Sequence, residues 1–381
     1  MGTAKMSMKS GNTMQSSCKR TGAGLRTLIA AAAVLGATQM NTAEAMESAG
    51  TSLYPGTQTP QQQNDFLLRG DGAVHVWQVR QGGPTAASVY VLVGAGANIT
   101  VHIGTNGMLL VNSGKEAMSD QVLAALKSIT TAPLRTIVAT DASPEVTGGN
   151  IKLGATGKSV TGGDVTNLIG ASSGITAILA TEAVMDRMSA RGSRDATPDG
   201  AWPSSTYTNS TKDLWFNGES IRLYHPPAAH TDGDSMVYFR YSDVVSVGDT
   251  YSSARYPSFD LERGGSFQGV INALNHLIYD VMIPGPQNDG GTVVIPNYGR
   301  VGGYSDVVFY QEMLIIIRDR IQHLIDQKKS LQQVLAANPT LEFDPRFGAT
   351  TGNWTTTDFV TAAYKSLSKK APTRGRKGST P

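Results

Sequence analysis

Between Val74 and Val111 four short segments alternate apolar and polar residues, and glycine-rich turns separate them. They are Val74–Val79, Ser88–Val93, Asn98–Ile103 and Met108–Val111, with Gly104-Thr-Asn-Gly107 as the tightest connection. Period-two alternation over so few residues predicts half-buried strands, and such short turns join neighbours in hairpins rather than by helical crossovers. This excludes an all-helical chain and argues against a purely parallel doubly wound sheet.

Helical periodicity follows over Lys115–Ser128, then a strand over Leu134–Thr140, a loop ending in Gly148-Gly149-Asn150, and a helical pattern over 174–190. The second half repeats the logic. Strands are expected at 220–225, 235–240 and 243–247, a helix near Val270–Tyr279, a strand at Thr292–Ile295 and a long helix over 305–327. Ser330-Leu-Gln-Gln333 is a capping box, and Thr356–Leu367 reads as the last helix. Two β-then-α halves predict two sheets packed face to face with helices outside, a four-layer αββα sandwich of the α/β class.

The ends differ from the body. Basic residues up to Arg26 precede the apolar run Leu28–Gly36, and Ala43-Glu44-Ala45 offers a small-x-small cleavage pattern. The run is shorter than the ~20 residues a membrane span needs, so residues 1–45 are expected to be a signal peptide and the protein exported, periplasmic or secreted. Residues 46–70 are expected to be a disordered leader, 71–367 the folded domain and 368–381 a basic disordered tail. Removal of the signal would take Cys18, the only cysteine, leaving no thiolate ligand or nucleophile. Without its two basic ends the body holds 22 basic against 29 acidic residues, a balance of about −7. Such a surface is unsuited to phosphate backbones, so no nucleic-acid partner is expected, nor a membrane span in the mature form.

Three segments carry chemistry at strand ends: Leu109–Gly114, His230-Thr-Asp-Gly-Asp-Ser235 with Gly248-Asp249, and Val294–Gly299. Their order resembles the metallo-β-lactamase superfamily across 72–367, in its secreted hydrolase-like branch. Phe259–Gly265 and the opening strand pair add to the resemblance. It implies the metallo-β-lactamase type of sandwich and a two-zinc hydrolytic cleft.

The ligand positions depart from that family. Its His-x-His-x-Asp-His motif precedes a Gly-Gly-Asn turn, which here is Gly148–Asn150. Counting back, histidine positions fall on Asp141, Ser143 and Val146, and the aspartate position on Glu145. The later Pro-Gly-His-Gly becomes Pro296-Asn-Tyr-Gly299, placing Tyr298 where a histidine is expected, and the aspartate after the Leu-Leu-Val strand becomes Asn112. Only His230 and Asp249 remain as family ligands. Valine cannot coordinate, and serine and neutral tyrosine are poor ligands, so no dinuclear zinc is expected. The candidate metal residues His230, Asp249, Asp141 and Glu145 would suit a single divalent ion such as Mg²⁺, Mn²⁺ or Ca²⁺. Two expectations follow. Either this is a pseudoenzyme or strongly altered hydrolase relative that binds a small molecule or protein ligand, or it is an active hydrolase with a rebuilt mononuclear site. The remaining histidines (His75, His102, His225, His276 and His323) read as surface or satisfied core residues. Asp232 and Asp234 read as loop-shaping side chains.

Overall fold

In the computed structural model, residues 72–82, 87–157, 176–282 and 291–369 are described, all within a unit that spans Gly50–Pro381. The expected signal peptide, the leader up to residue 71 and nearly all of the tail lie outside them.

The first sheet has seven strands in chain order: β1 (His75–Arg80), β2 (Ser88–Val93), β3 (Ile99–Gly104), β4 (Gly107–Val111), β5 (Leu134–Val138), β6 (Ala177–Thr181) and β7 (Ser205–Tyr207). The first four pair antiparallel as the hairpin spacing requires, and β4 to β7 pair parallel. The second sheet has five strands: β8 (Thr211–Phe216), β9 (Glu219–Tyr224), β10 (Met236–Phe239), β11 (Val244–Gly248) and β12 (Val293–Pro296). They lie in reverse chain order, antiparallel except for the parallel pair β11–β12. The helices are α1 (Ser119–Ile129), α2 (Pro144–Thr147), α3 (Asn150–Gly154), α4 (Glu182–Ser189), α5 (Phe267–His276), α6 (Tyr304–Asp326), α7 (Leu331–Ala336), α8 (Asp344–Phe347) and α9 (Thr356–Ser368).

Strand alternation sorts the core into layers. On β4, Leu109 and Val111 pack between the sheets with Ile221, Leu223, Val237, Phe239, Val293 and Ile295. Met108 and Leu110 turn the other way, onto Val122, Leu126 and Leu153 of the helices outside. The second sheet mirrors this: Met236, Val245, Val247 and Val294 pack outward against α5, α6 and α9. The four-layer αββα arrangement is therefore present.

The expected helix over 174–190 is corrected. Ala177–Thr181 is a strand buried throughout between two parallel neighbours, so it shows no alternation, and only Glu182–Ser189 is helical. Thr181 caps that helix by accepting from the Val184 N–H. The short strands β7 and β8 escaped the sequence reading. Both are terminal strands of their sheets, and their polar exposed positions weaken the apolar signal.

A buried polar clamp joins the sheets at the turn end of β3 and β4. His102 Nε2 lies 2.8 Å from Glu219 Oε1, while Asn217 Nδ2 donates to Gly107 O at 3.0 Å and lies 3.2 Å from His102 Nδ1. The second Glu219 oxygen accepts from the backbone of Tyr241 and Ser242. His102 is thus a satisfied core histidine, as its strand position suggested. Asn98, which fits a glycosylation pattern, is buried with its amide committed to Pro296 O and Gly299 O.

Candidate functional site

The opposite ends of β4, β5, β11 and β12 meet in a buried polar cluster. Strand β4 stops because Asn112 adopts a left-handed conformation (φ 71°), which asparagine tolerates better than most residues. Its amide then laces the strand ends together. Asn112 Oδ1 accepts from Thr140 N and Thr140 Oγ1, while Nδ2 donates to Asn297 Oδ1 at 2.7 Å. Asn297 in turn donates from Nδ2 to Asp249 Oδ2 at 3.2 Å. Gly248, with φ 59°, turns β11 into Asp249 while its Cα faces Thr140, and a Cβ there would lie 3.2 Å from Thr140 Cβ.

Asp141 is almost fully buried just past β5. Burial pushes its carboxyl upward and the charge of Asp249 adds to this, while His230 and the Ser143 N–H, 2.6 Å from Oδ1, pull it back. Asp234 shapes the 230–235 loop as expected, accepting from the N–H groups of His230 and Thr231 and from Thr231 Oγ1. Burial pushes it up to about 7 against those donors and His230. Asp232 instead receives the Arg187 guanidinium.

His230 is held by both of its neighbouring loops. Its Nδ1 lies 2.9 Å from Ser258 O, so that nitrogen carries the proton. Burial would lower its pKa, but Asp249, Asp234 and Asp141 outweigh this and raise it to about 8. Gly265 lets the 258–266 loop close over this histidine. A Cβ there would fall 2.1 Å from His230 O.

The structure therefore gathers Asp141, His230 and Asp249 within electrostatic reach of one another, with Tyr298 in reach of the two aspartates. It does not arrange them as a metal cage. Among the described residues no group of three or more His, Cys, Asp or Glu side chains is placed to hold a metal ion. Glu145 turns to the rim, 3.8 Å from Lys115 Nζ. Val146 is fully buried in a small apolar cluster with Ala97, Ala139, Val184 and Met188, not on the cleft wall. Its carbonyl accepts from Ser113 N and Ser113 Oγ, fixing the short α2 against β4. Ser143 serves as the N-cap position of α2 and as a backbone donor to Asp141. Burial, and then the charges of Asp249, Asp141 and Glu145, raise the Tyr298 phenol far above its ordinary value, so it stays neutral.

One cleft residue was invisible in the sequence. Arg255 places Nη2 3.4 Å from Asp249 Oδ1 and its guanidinium carbon 3.8 Å from the centre of the Tyr298 ring. The segment Tyr251-Ser-Ser-Ala-Arg-Tyr256 carries no motif, and only the turn after β11 brings it against a tyrosine from the turn after β12.

Two sheets with helices outside, and a buried polar cluster at the ends of β4, β5, β11 and β12, are the arrangement of a metallo-β-lactamase-type fold. Solved structures agree at the level of the fold. The chain is similar to a double mutant of the sec-alkyl sulfatase PisA1 (TM-score 0.57, 13% identity) and to the stereoselective inverting sec-alkylsulfatase Pisa1 from Pseudomonas sp. (TM-score 0.52, 12% identity). Both matches cover 80% of this chain and 54% of the other, so the chain spans about half the length of those sulfatase chains. A metallo-β-lactamase from Pontibacter korlensis aligns with TM-score 0.43 and 15% identity, over 64% of this chain and 96% of that one. No family model matches the sequence, and no curated protein matches it.

The pair of zinc ions that this fold ordinarily holds does not fit the residues present. Val146 is packed away, Tyr298 is a neutral phenol beneath a guanidinium, and Asp249 is already paired with Arg255 and Asn297.

Proposed function

We propose that this chain is a non-catalytic or strongly altered hydrolase relative, a pseudoenzyme whose cleft binds a small molecule or a partner without zinc. The observation that carries the reading is the internal pairing of Asp249, the one carboxylate shared with the family pattern, to Arg255 and Asn297. A carboxylate engaged by a guanidinium and an amide has little capacity left to bridge two metals. Among the described residues, His230 Nε2, the Tyr298 hydroxyl and the remaining N–H groups of Arg255 make no hydrogen bond of their own, and these are the groups left to meet a ligand. The proposal includes export, supported by the basic, apolar and small-x-small order at the N-terminus. No helix among the described residues is long and apolar enough to cross a membrane.

The test is elemental analysis of the purified protein together with turnover of a panel of esters, lactams, lactones and secondary alkyl sulfates. The expected result is no stoichiometric metal and no turnover that depends on His230. A divalent ion near one equivalent that is lost in Asp249→Ala, with metal-dependent turnover abolished by His230→Ala, would replace this reading with a mononuclear hydrolase.

A further inference from the structure

We infer that Arg255 is the resident cation of the cleft, a positioning residue whose guanidinium takes the charge-balancing place beside Asp249 and bars divalent ions from it. The inference rests on the metal-free reading above and names the device that maintains it.

The Asp249 side chain is only 8% exposed, and a carboxylate removed from water to that degree needs a compensating charge or full hydrogen bonding. Asn297 supplies one neutral donor, at 3.2 Å from Oδ2. Arg255, on Oδ1, makes the one direct ion pair of Asp249 among the described residues; His230, which Asp249 helps to raise, lies beyond ion-pair distance and gives up its charge as pH rises. A guanidinium keeps its charge throughout the working pH range, unlike histidine.

Tyr298 gives the substitution a second meaning. Where the resemblance expects a histidine ligand, the chain presents a flat phenol ring 3.8 Å from the guanidinium carbon. The electron-rich face of a tyrosine attracts a cation directly above it. The same change that removes a metal ligand therefore builds a platform for the arginine.

The arginine is also held from behind. Tyr310 Oη donates to Arg255 O at 3.0 Å, and the next residue, Tyr256, is buried with its N–H on Phe347 O and its hydroxyl on Asp344. The side chain thus leaves a fixed backbone anchor instead of a free loop. A divalent ion approaching Asp249 would meet a fixed positive charge within a few ångströms of the same carboxylate, and the repulsion rises with the ion's charge.

The experiment uses the full chain with MnCl₂ and, separately, ZnCl₂, read by calorimetric titration and by melting temperature with and without a chelator. The wild type is expected to show no binding and no shift. Arg255→Gln, which keeps the shape and removes the charge, is expected to bind Mn²⁺ roughly tenfold or more tightly than the wild type and to melt higher with it. Arg255→Lys should stay metal-blind, and Arg255→Gln combined with Asp249→Asn should lose the gained binding. A folded Arg255→Gln that ignores both metals overturns the inference while leaving the metal-free reading intact. Wild-type protein that binds one equivalent overturns both. If Arg255→Gln does not fold, Arg255→Met removes the charge and keeps the apolar stem; Mn²⁺ binding by that variant supports the inference, and none overturns it.

Discussion

Replacing Asn112 by aspartate would restore the residue that the family resemblance expects, yet here it should damage the protein. Asn112 is fully buried, and each half of its amide has an assigned partner. Its oxygen accepts from Thr140 N and Oγ1, and its nitrogen donates to Asn297 Oδ1 at 2.7 Å. In Asn112→Asp that donor becomes a second acceptor facing an acceptor. Turning the Asn297 amide over offers no escape, because its nitrogen donates to Asp249 Oδ2 and its oxygen would then face that carboxylate. The new charge would also join Asp141 and Asp249, which already burden each other. One buried hydrogen bond lost with an orphaned partner costs about 1–3 kcal/mol, and an unpaired buried charge about 3–5 kcal/mol when it cannot relax. Partial relief by protonation leaves an expected loss of about 3–4 kcal/mol at pH 7, or roughly 5–6 °C in Tm for a domain of this size.

The sign of the pH dependence distinguishes this cause from general misfit. The introduced carboxyl has its folded pKa raised by burial and like charge, so the penalty is present where it must ionise and vanishes as it is protonated. A protonated carboxyl can donate to Asn297 Oδ1 as the amide did. Urea melts of wild type and variant from pH 8 down to pH 5 should therefore converge toward the acid end. A melting temperature within about 1 °C of the wild type at pH 7 would refute the amide-lacing argument, and so would a deficit independent of pH.

Two further predictions concern ionisation. Because His230 is raised to about 8 from 6.5, its contribution to stability, up to about 2 kcal/mol, is complete below pH 6.5 and is lost as pH rises through 8. Denaturant melts between pH 6 and 9 should show this decline in the wild type and a shallower one in His230→Gln; identical slopes would contradict it. At the far end of the sandwich, burial disfavours the Glu219 carboxylate, but His102 and Ser242 more than offset this and hold its pKa below the ordinary value. Its stabilisation is thus present above about pH 4.5 and fails as pH falls through the lowered pKa. Glu219→Gln should cost about 2–3 kcal/mol near neutrality, with the gap closing in acid-unfolding curves followed by far-UV circular dichroism. Parallel curves would remove the clamp from the account.

The amino-acid sequence by itself determined the layers. Alternation along Ser88–Val93 and Asn98–Ile103, the glycine turn at 104–107 and the capping box at Ser330 are local signals that neighbouring residues can satisfy alone. Where a strand is buried on both faces, as in Ala177–Thr181, alternation disappears and helix and strand look alike. The family resemblance, with the Gly148–Asn150 turn fixing the count, pointed to Asp141, Ser143, Glu145, Val146, His230, Asp249 and Tyr298, of which Glu145 turns to Lys115 and Val146 packs into an apolar cluster.

Only the tertiary structure decided what those residues do. Charge compensation is a property of distance, and Arg255 reaches Tyr298 across 43 positions of sequence through two separate turns. Val146 read as a missing ligand, whereas its side chain packs among Ala139, Val184 and Met188. Asn112 and Asn297 looked like two unrelated departures, and in space they are the two halves of one hydrogen bond. Residue type records which chemistry is lost from a site, but what replaces it depends on which distant side chains the fold brings within a few ångströms.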